Sequence, residues 1–452
     1  MNFLLLALFL FTSSVVAGGW LAWRTGEAFF PRWRAARWLW FVTLSLLSIS
    51  FFVGFTAGDG NPGKSLRAIG SAWVITLPYW LIALILNEGI EFAARGWRKR
   101  HAGTPVKSPA LKLQSASNPK SHQKWRRFLK SRHLVTLFSR PCRNFKAGAA
   151  ADDRFENKDE VQVPPDVATS GGQAGRTILR RRLYWCGVPL AVAIILFLGN
   201  RNFHHPVLST AEFDIKKTCA GREHLQIALA SDLHLGEVIG RAELKKYVDA
   251  LNALNADLIL LAGDLVDNRP EILSKEDMGE ELRRLKAPLG VFAVLGNHDV
   301  FSDGGTECAA YFTQNGVRVL RDEVVTLDNG AILLAGRRDK AEGKELRKPL
   351  KDVLRGADSQ KPLLVLDHQP QNSHLREGAQ NGADLYLCGH THGGQVWPVT
   401  WLLSRLYKVF HGSGREGAMN IHVTSGLGLW GFPARIGSNS EIVIITLRFP
   451  QK

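Results

Sequence analysis

The chain has 452 residues and a formal net charge of +16, a charge that alone would favour a nucleic-acid or anionic-lipid partner. The distribution of charge excludes a basic catalytic domain. Residues 95–182 contain 21 Lys and Arg against 6 Asp and Glu, whereas residues 201–452 contain 30 against 31. The cysteines are too few for a disulfide framework, although Cys219 and Cys308 could pair in an oxidising compartment. The five are Cys142, Cys186, Cys219, Cys308 and Cys388.

Four apolar segments lie before and just after the basic stretch. Each is long enough to cross the roughly 30 Å hydrocarbon core of a bilayer as a helix. They cover residues 1–23, 38–58, 68–86 and 183–199. The first has the length of a signal peptide, but its arginines follow the apolar run, which favours a retained span. The sequence therefore predicts a membrane region at 1–94 with three transmembrane helices, and a fourth transmembrane helix at 183–200.

Basic residues are distributed asymmetrically around these spans. The loop 24–37 carries four arginines and the stretch 95–182 carries 21 basic residues, whereas the loop 58–67 has only Lys64 and Arg67. The positive-inside rule then places both basic segments in the cytoplasm. The prediction is a multi-pass protein of the inner (plasma) membrane whose C-terminal domain is extracytoplasmic.

The basic stretch 95–182 is interpreted as a mostly disordered linker, because charge is combined there with segments rich in Pro, Ser and Gly. A short basic helix over 124–138 could lie on the anionic inner leaflet of the membrane. A solvated charged linker explains the same residues equally well.

From about residue 224 the pattern becomes that of a folded α/β domain, assigned to residues 201–452. Short apolar runs predict eight strands, at 225–231, 257–263, 291–296, 331–336, 362–367, 384–389, 421–426 and 441–447. Residues 241–254 place Leu244, Val248, Leu251 and Leu254 on one helical face. Strands that alternate with helices argue for a layered α/β architecture.

Polar residues follow five of the predicted strands directly. They are Asp232 and His234; Asp264 and Asp267; Asn297, His298 and Asp299; His368; and His390 and His392. Asp and Asn are ordinary turn residues, so any one of these ends alone would mean little. Five in succession indicate a binding site, because open α/β sheets bind ligands beyond the carboxyl ends of their strands.

The residue types point to metal ions. Carboxylate, imidazole and amide donors together suit Mn, Fe or Zn, and the absence of thiolates argues against a structural zinc site. The donors are too many for one ion, whereas two ions sharing a carboxylate would use them all. Two-metal sites of this kind act on phosphoryl groups. Gly389, Gly393 and Gly394, around His390 and His392, are expected to let substrate phosphate and backbone approach the metals closely.

The blocks DLH, GDLVD, GNHD, H and GHTH, in this order, resemble the calcineurin-like metallophosphoesterase superfamily. The sequences GHTHGGQV and TSGLGLWGFPARIG, together with the apolar N-terminal segments, resemble its bacterial membrane-anchored branch. That branch includes phosphodiesterases related to UDP-2,3-diacylglucosamine pyrophosphatases. The resemblance covers roughly residues 224–449 and implies a four-layer αββα sandwich.

Carried over residue by residue, the resemblance also implies roles. One ion would be held by Asp232, His234 and His392. The other would be held by Asn297, His368 and His390, with Asp264 bridging the two. His298 would face the phosphate, and Asp299 would orient its imidazole. Asp267 would contact the ligand side chains without itself binding an ion.

The expected function is hydrolysis of phosphodiester or pyrophosphate bonds by metal-activated hydroxide, with a lipid-linked substrate such as a glycolipid as one option. A catalytically silent membrane scaffold or sensor built on the same fold is the alternative. A nuclease is disfavoured because the domain lacks a basic groove, so no nucleic-acid partner is expected. Hydrolysis of a UDP-linked lipid belongs on the cytoplasmic side, which conflicts with the predicted topology.

A further apolar segment follows the GHTH block, at 397–410. Leu402, Leu406, Val409 and Phe410 are predicted to share one helical face, flanked by Arg405 and Lys408. Such a face commonly packs on the domain core. Alternatively, it is an amphipathic element that docks at the level of lipid headgroups.

Overall fold

A computed structural model of the chain describes residues 18–27, 33–56, 61–101, 166–267, 270–300, 305–342 and 347–451. The chain forms two compact units, residues 1–85 together with 178–452, and residues 86–177. Of the second unit, the described residues are helical. The first unit contains the α/β domain.

Long helices make up the N-terminal part. Residues 18–27 are helical, and α1 (Arg34–Thr56), α2 (Asn61–His101) and α3 (Asp166–His204) come next. Within the described residues, two stretches are long and apolar enough to cross a membrane, Ile69–Gly96 and Leu183–His204. In the most apolar part of each stretch, only 28% of the residues of Ile69–Gly96 and 22% of those of Leu183–His204 are buried. Neither stretch is therefore the core helix of a globular domain.

The predicted spans have different outcomes. Segments 68–86 and 183–199 lie in the two apolar helices, and most of 38–58 lies in α1, which is not among them. Most of the segment 1–23 lies outside the described residues, as does the predicted helix at 124–138. The two ends of the stretch 95–182 are helical, because α2 runs to His101 and α3 begins at Asp166.

The α/β domain is built on two six-stranded sheets. Its strands are β1 (Val207–Asp214), β2 (His224–Ala230), β3 (Leu258–Ala262), β4 (Val291–Val294), β5 (Arg318–Val319), β6 (Glu323–Leu327), β7 (Ile332–Gly336), β8 (Leu363–Leu366), β9 (Leu385–Cys388), β10 (Gly412–Glu416), β11 (Met419–Val423) and β12 (Glu441–Arg448). The first sheet has the order β1-β12-β2-β3-β4-β5 and the second β10-β11-β9-β8-β7-β6. Strands β2, β3 and β4 are parallel, as are β7, β8, β9 and β11.

Helices connect these strands. They are α4 (Arg241–Ala253), α5 (Glu271–Lys275), α6 (Met278–Leu282), α7 (Thr306–Gln314), α8 (Leu350–Val353), α9 (Asn372–Gln380) and α10 (Val399–Leu406). The predicted helix at 241–254 is confirmed as α4, which buries Leu244, Val248 and Leu251.

Alternation along the strands produces four layers. In β2, Ala228 and Ala230 face a cluster that contains α4 and α7, whereas Leu229 joins a second cluster between the two sheets. In β8, Leu364 lies in that inter-sheet cluster, whereas Val365 faces a third cluster that contains residues of α8 and α9. Since successive side chains of a strand point to opposite faces, both sheets are buried on both sides. The architecture is therefore αββα, as expected.

All eight predicted strands are confirmed. The strands that were not predicted are β1, β5, β6 and β10, which are the edge strands of the two sheets. An edge strand is less completely buried and needs no continuous apolar run; β10, for example, consists of Gly, Ser, Arg and Glu. Hydrophobic pattern alone therefore finds the buried centre of each sheet and misses its borders.

The pairing of Cys219 with Cys308, which the sequence left open, is not formed. Both are buried thiols outside any disulfide. Cys219 lies in the cluster between the sheets and Cys308 in the cluster on the opposite side of the first sheet. The first sheet therefore separates the two sulfur atoms.

Candidate metal centre

The parallel strands bring their carboxyl ends, and the polar residues just beyond them, to one edge of the two sheets. Backbone conformation marks the same places. Five of the site residues have positive φ: Asp232 (54°), His234 (45°), Asp264 (51°), His390 (72°) and His392 (53°). A residue other than Gly in this region is uncommon, and such conformations persist only where the surrounding structure enforces them.

The first group of donors comprises Asp232, His234 and His392. The Nε2 atoms of His234 and His392 are 3.2 Å apart, and His392 Nε2 is 3.5 Å from Asp232 Oδ1. Asp232 and His234 are buried. Three donor atoms therefore face a common point, which is the arrangement that a cation can occupy.

The second group comprises Asp264, His368 and His390. His368 Nε2 lies 3.1 Å from Asp264 Oδ2 and 3.2 Å from His390 Nδ1. Asp264 Oδ2 is also 3.8 Å from His234 Nε2. Asp264 therefore lies between the two groups, where one carboxylate can contact both.

Asn297 provides a test of whether these residues fit cations. It follows β4, and its buried Oδ1 has no hydrogen-bond partner within the part of the chain that the structure describes. Burying an unsatisfied carbonyl oxygen costs about 1–3 kcal/mol. Both chain neighbours of Asn297 reach Asp264: the His298 N–H donates to Asp264 Oδ1, and a Cβ on Gly296 would lie 2.2 Å from that oxygen. An amide oxygen left without a partner in this loop fits the metal centre that the sequence predicted.

Backbone contacts fix the orientation of the donors. His368 Nδ1 donates to Ala262 O at 2.8 Å, which directs Nε2 towards Asp264 and His390. The backbone N–H of His390 donates to both carboxylate oxygens of Asp232, and that of His298 donates to Asp264 Oδ1 at 2.8 Å. Such secondary contacts hold ligands in their binding orientation.

Burial sets the charge of the imidazoles. It lowers the pKa of His390 to about 3, helped by the neighbouring His368, and it lowers the pKa of His392 well below the usual range. Both rings are neutral at pH 7, which is the form that binds metals. For His368 burial also opposes charge, but Asp264 raises its pKa well above the usual value. The buried carboxylates therefore require a positive charge, as a proton or as a cation.

The structure corrects the role expected of Asp299. Its carboxylate accepts hydrogen bonds from the backbone N–H groups of Leu265, Val266 and Gly296, at 3.1, 2.8 and 2.7 Å. Burial, reinforced by the charge of Asp264, raises its pKa to about 7. Asp299 thus ties together the loops after β3 and β4. It does not orient the imidazole of its neighbour.

Asp267 contacts the two imidazoles instead. Its carbonyl oxygen lies 2.8 Å from His298 Nδ1, and its Oδ1 lies 3.4 Å from His234 Nδ1. His298 therefore directs Nε2 away from this contact. Burial lowers the pKa of His298, so its ring is neutral near pH 7.

Two of the glycines around His390 and His392 allow a close approach of neighbouring chain. A Cβ on Gly389 would lie 1.7 Å from Ser231 Oγ and 2.5 Å from Asp232 Oδ2, and one on Gly394 would lie 2.4 Å from the backbone of Thr400. These glycines make room for neighbouring chain segments that hold the ligand loops.

Sequence reasoning missed two arginines beside the site, the buried Arg435 and the partly buried Arg347. Arg435 donates to the carbonyl oxygens of His392, Ser425 and Gly426, at 3.0, 2.7 and 2.9 Å. Arg347 pairs at 2.7 Å with Asp367, whose other oxygen accepts from the His368 backbone. Two features of the sequence could have pointed to them. The segment ARIG, after a Gly-rich stretch, contains Arg435, and Asp367, which precedes His368, is the partner of Arg347.

Fold and donor geometry together define an α/β protein with a centre suited to two divalent cations. The model of the calcineurin-like phosphoesterase family matches residues 225–394. An uncharacterized metallophosphoesterase of Aquifex aeolicus is 32% identical over 230 residues, which are 50% of this chain and 85% of that protein. The chain belongs to the calcineurin-like metallophosphoesterase family.

Two further relatives match the same part of the chain. A "Transmembrane protein with metallophosphoesterase domain" of Danio rerio is 31% identical over 255 residues, covering 54% of this chain and 57% of that protein. An uncharacterized metallophosphoesterase of Helicobacter pylori is 33% identical over 229 residues, which cover 50% of this chain and 60% of that protein. The chain thus spans less than two thirds of these two relatives.

Proposed function

We propose that the chain is a membrane-tethered phosphoesterase that uses two divalent metal ions, Mn, Fe or Zn, to hydrolyse phosphodiester or pyrophosphate bonds. The observation that carries the proposal is the pair of donor groups that meet at Asp264. The unsatisfied Oδ1 of Asn297, in the loop whose His298 N–H contacts Asp264, supports it. Family membership supports the same chemistry.

The proposed ligands correspond to the two groups. Asp232, His234 and His392 hold one ion. Asn297, His368 and His390 hold the other, with Asp264 shared between them. When bound, such ions neutralise phosphoryl charge and make water a competent nucleophile near neutral pH.

His298 is the proposed proton-transfer residue. Its Nδ1 is occupied by the Asp267 carbonyl oxygen, so Nε2 is the atom that exchanges a proton with the substrate. The ring is neutral before substrate binds, and the charge of a bound phosphate favours its protonated form. From that form Nε2 protonates the leaving oxygen.

We further propose a multi-pass location in the inner membrane, with the catalytic domain extracytoplasmic. The two long apolar helices and the basic residues of segments 24–37 and 95–182 support this topology. A lipid-linked phosphodiester or pyrophosphate suits an enzyme held at a membrane. A compartment-sensitive reporter fused after Lys452 tests the topology, and activity of a reporter that functions only in the cytoplasm would contradict it.

The test of the chemistry uses the full chain in detergent with a soluble aryl phosphodiester. We expect hydrolysis that chelation abolishes and Mn restores. Asp264→Ala is expected to lose both ions and all turnover, because one carboxylate serves both donor groups. Asp264→Asn, which keeps an acceptor for the His298 backbone, is expected to lose them as well.

The matched control is Asp352→Ala, which removes a partly exposed carboxylate on α8. Metal content by mass spectrometry and turnover are measured on the same samples. Full activity of both Asp264 variants, with two ions retained, would refute the two-metal assignment.

A further inference from the structure

An unusual set of apolar side chains is exposed around α10. Trp397, Val399, Trp401, Leu402, Leu406 and Trp430 are each more than 40% exposed, and they are called the apolar rim here. None of the residues of α10 is buried. The helix ends at Leu406, so Val409, which is buried, and Phe410 do not share its face as predicted. Packing on the core therefore does not explain this helix.

The apolar rim borders the metal centre. The ring of Trp430 lies 6.3 Å from that of His298. Gln395, just after His392–Gly394, donates from Nε2 to Trp430 O at 2.8 Å and accepts from Trp430 N at 3.2 Å. The loop that carries a proposed metal ligand and the exposed tryptophan are thus joined directly.

The apolar rim also contacts one of the two apolar helices. The hydroxyl of Tyr79 donates to Trp397 O at 2.7 Å, and the two rings stack with their centroids 6.4 Å apart. Tyr79 is the eleventh residue of the stretch Ile69–Gly96, about 15 Å along the helix from its first residue. The contact therefore lies within the length of the span.

We propose that the apolar rim inserts into the lipid layer beside the spans and that the substrate is an amphiphile whose phosphodiester or pyrophosphate is presented from that layer. This rests on the proposed phosphoesterase function. Continuity with the span identifies the occupant as lipid, because side chains next to Tyr79 lie where the span itself contacts lipid. A substrate anchored in the same layer reaches His298 past Trp430.

The chemistry of α10 agrees with insertion. The guanidinium of Arg405 lies 5.4 Å from the centre of the Trp401 ring. Trp is enriched at membrane interfaces, and an arginine stem covers apolar surface while its charge reaches the headgroups. Leu402 and Leu406, one turn apart, extend the apolar side of the helix.

Insertion is tested on the full chain in vesicles of phosphatidylethanolamine and phosphatidylglycerol. In a background with Cys186 and Cys142 replaced by Ser, an environment-sensitive fluorophore is attached at Leu406→Cys or, as a control, at Ser359→Cys, an exposed loop position. We expect blue-shifted emission and quenching by brominated lipid at 406 only. A water-like spectrum at 406, or a shift that depends on protein concentration without lipid quenching, would overturn the proposal.

Substrate class is tested with Leu402→Glu combined with Leu406→Glu. The matched control, Ser359→Glu with Gln360→Glu, adds the same charge at exposed positions outside α10. We expect the α10 variant to lose roughly tenfold activity on a lipid-linked pyrophosphate in vesicles, about 1.4 kcal/mol. Activity on a soluble aryl diester should stay unchanged in both variants.

The outcomes separate this inference from the proposed function. Equal loss on both substrates, or equal activity of wild type and variant on the lipid, would overturn the inference alone. Wild-type protein without activity on either substrate would refute the phosphoesterase function, whereas the fluorescence result would still decide whether the apolar rim is inserted.

Discussion

At the scale of single residues, a variant of His298 tests metal binding and proton transfer separately. His298→Ala is expected to keep both ions, because the contact with Asp264 is made by the backbone N–H, which alanine retains. Turnover should fall roughly 10²- to 10⁴-fold, the usual contribution of a general acid or base. Metal content and turnover of the same preparation check this, with His205→Ala, an exposed histidine, as the control. Loss of an ion would instead make His298 a ligand.

At the scale of a whole element, the C-terminal end of α3 is hydrogen-bonded to a loop beside the site. The backbone N–H of Arg435 donates to Gly199 O at 2.9 Å, and Asn202 Nδ2 donates to Ser438 O at 2.7 Å. The side chain of Arg435 then reaches His392 O. The helix that contains an apolar span thus holds the loop that positions a proposed ligand.

Gly199→Ala tests this connection. The new Cβ would lie 2.7 Å from Ile436 Cγ1, so the loop must move; overpacking of this kind costs about 1–3 kcal/mol. We expect weaker Mn binding at the group that contains His392, with roughly tenfold lower affinity. Gly187→Ala in the same helix is the control, since nothing lies within 4 Å of its added Cβ.

Mn titration calorimetry of the two variants gives the answer. Two Mn affinities equal to wild type in Gly199→Ala would show that the helix end only anchors the domain. A fall in thermal stability without a change in Mn binding would have the same meaning.

At the scale of the whole domain, the side chain of Glu441 connects the two sheets through hydrogen bonds. The carboxylate, at the start of β12, accepts from the Thr424 hydroxyl and Ser425 N–H after β11, and from Ser209 in β1. Although burial opposes ionisation, His411 and these donors lower the pKa of Glu441 to about 2. A lowered carboxyl pKa stabilises the fold above the unfolded value of about 4.3 and loses that effect as pH falls towards 2.

Glu441→Gln is therefore expected to destabilise the protein by about 3 kcal/mol at neutral pH, with a difference that shrinks between about pH 4.5 and 2. Thermal unfolding of the full chain in detergent across this pH range measures it. Glu212→Gln, which alters an exposed pair with Arg448, is the control and should change little. A Glu441 variant whose deficit is the same at every pH would contradict the titration argument.

The sequence alone determined the centre of the fold and the residue types that meet at the candidate site. Strands buried on both faces are mostly apolar, so β2, β3, β4, β7, β8, β9, β11 and β12 were recognisable. Polar residues at the ends of parallel strands must converge, so Asp232, Asp264 and His390 could be assigned to one place before any contact was known.

Tertiary structure decided what depends on contacts distant in sequence. Edge strands such as β10 are defined by a partner strand, and Asp299 and Arg435 by the backbone groups they reach in other loops. The exposure of α10 depends on where the core ends, because periodicity describes a helical face without saying what covers it. The contact between Tyr79 and Trp397, separated by 318 positions, is of the same kind.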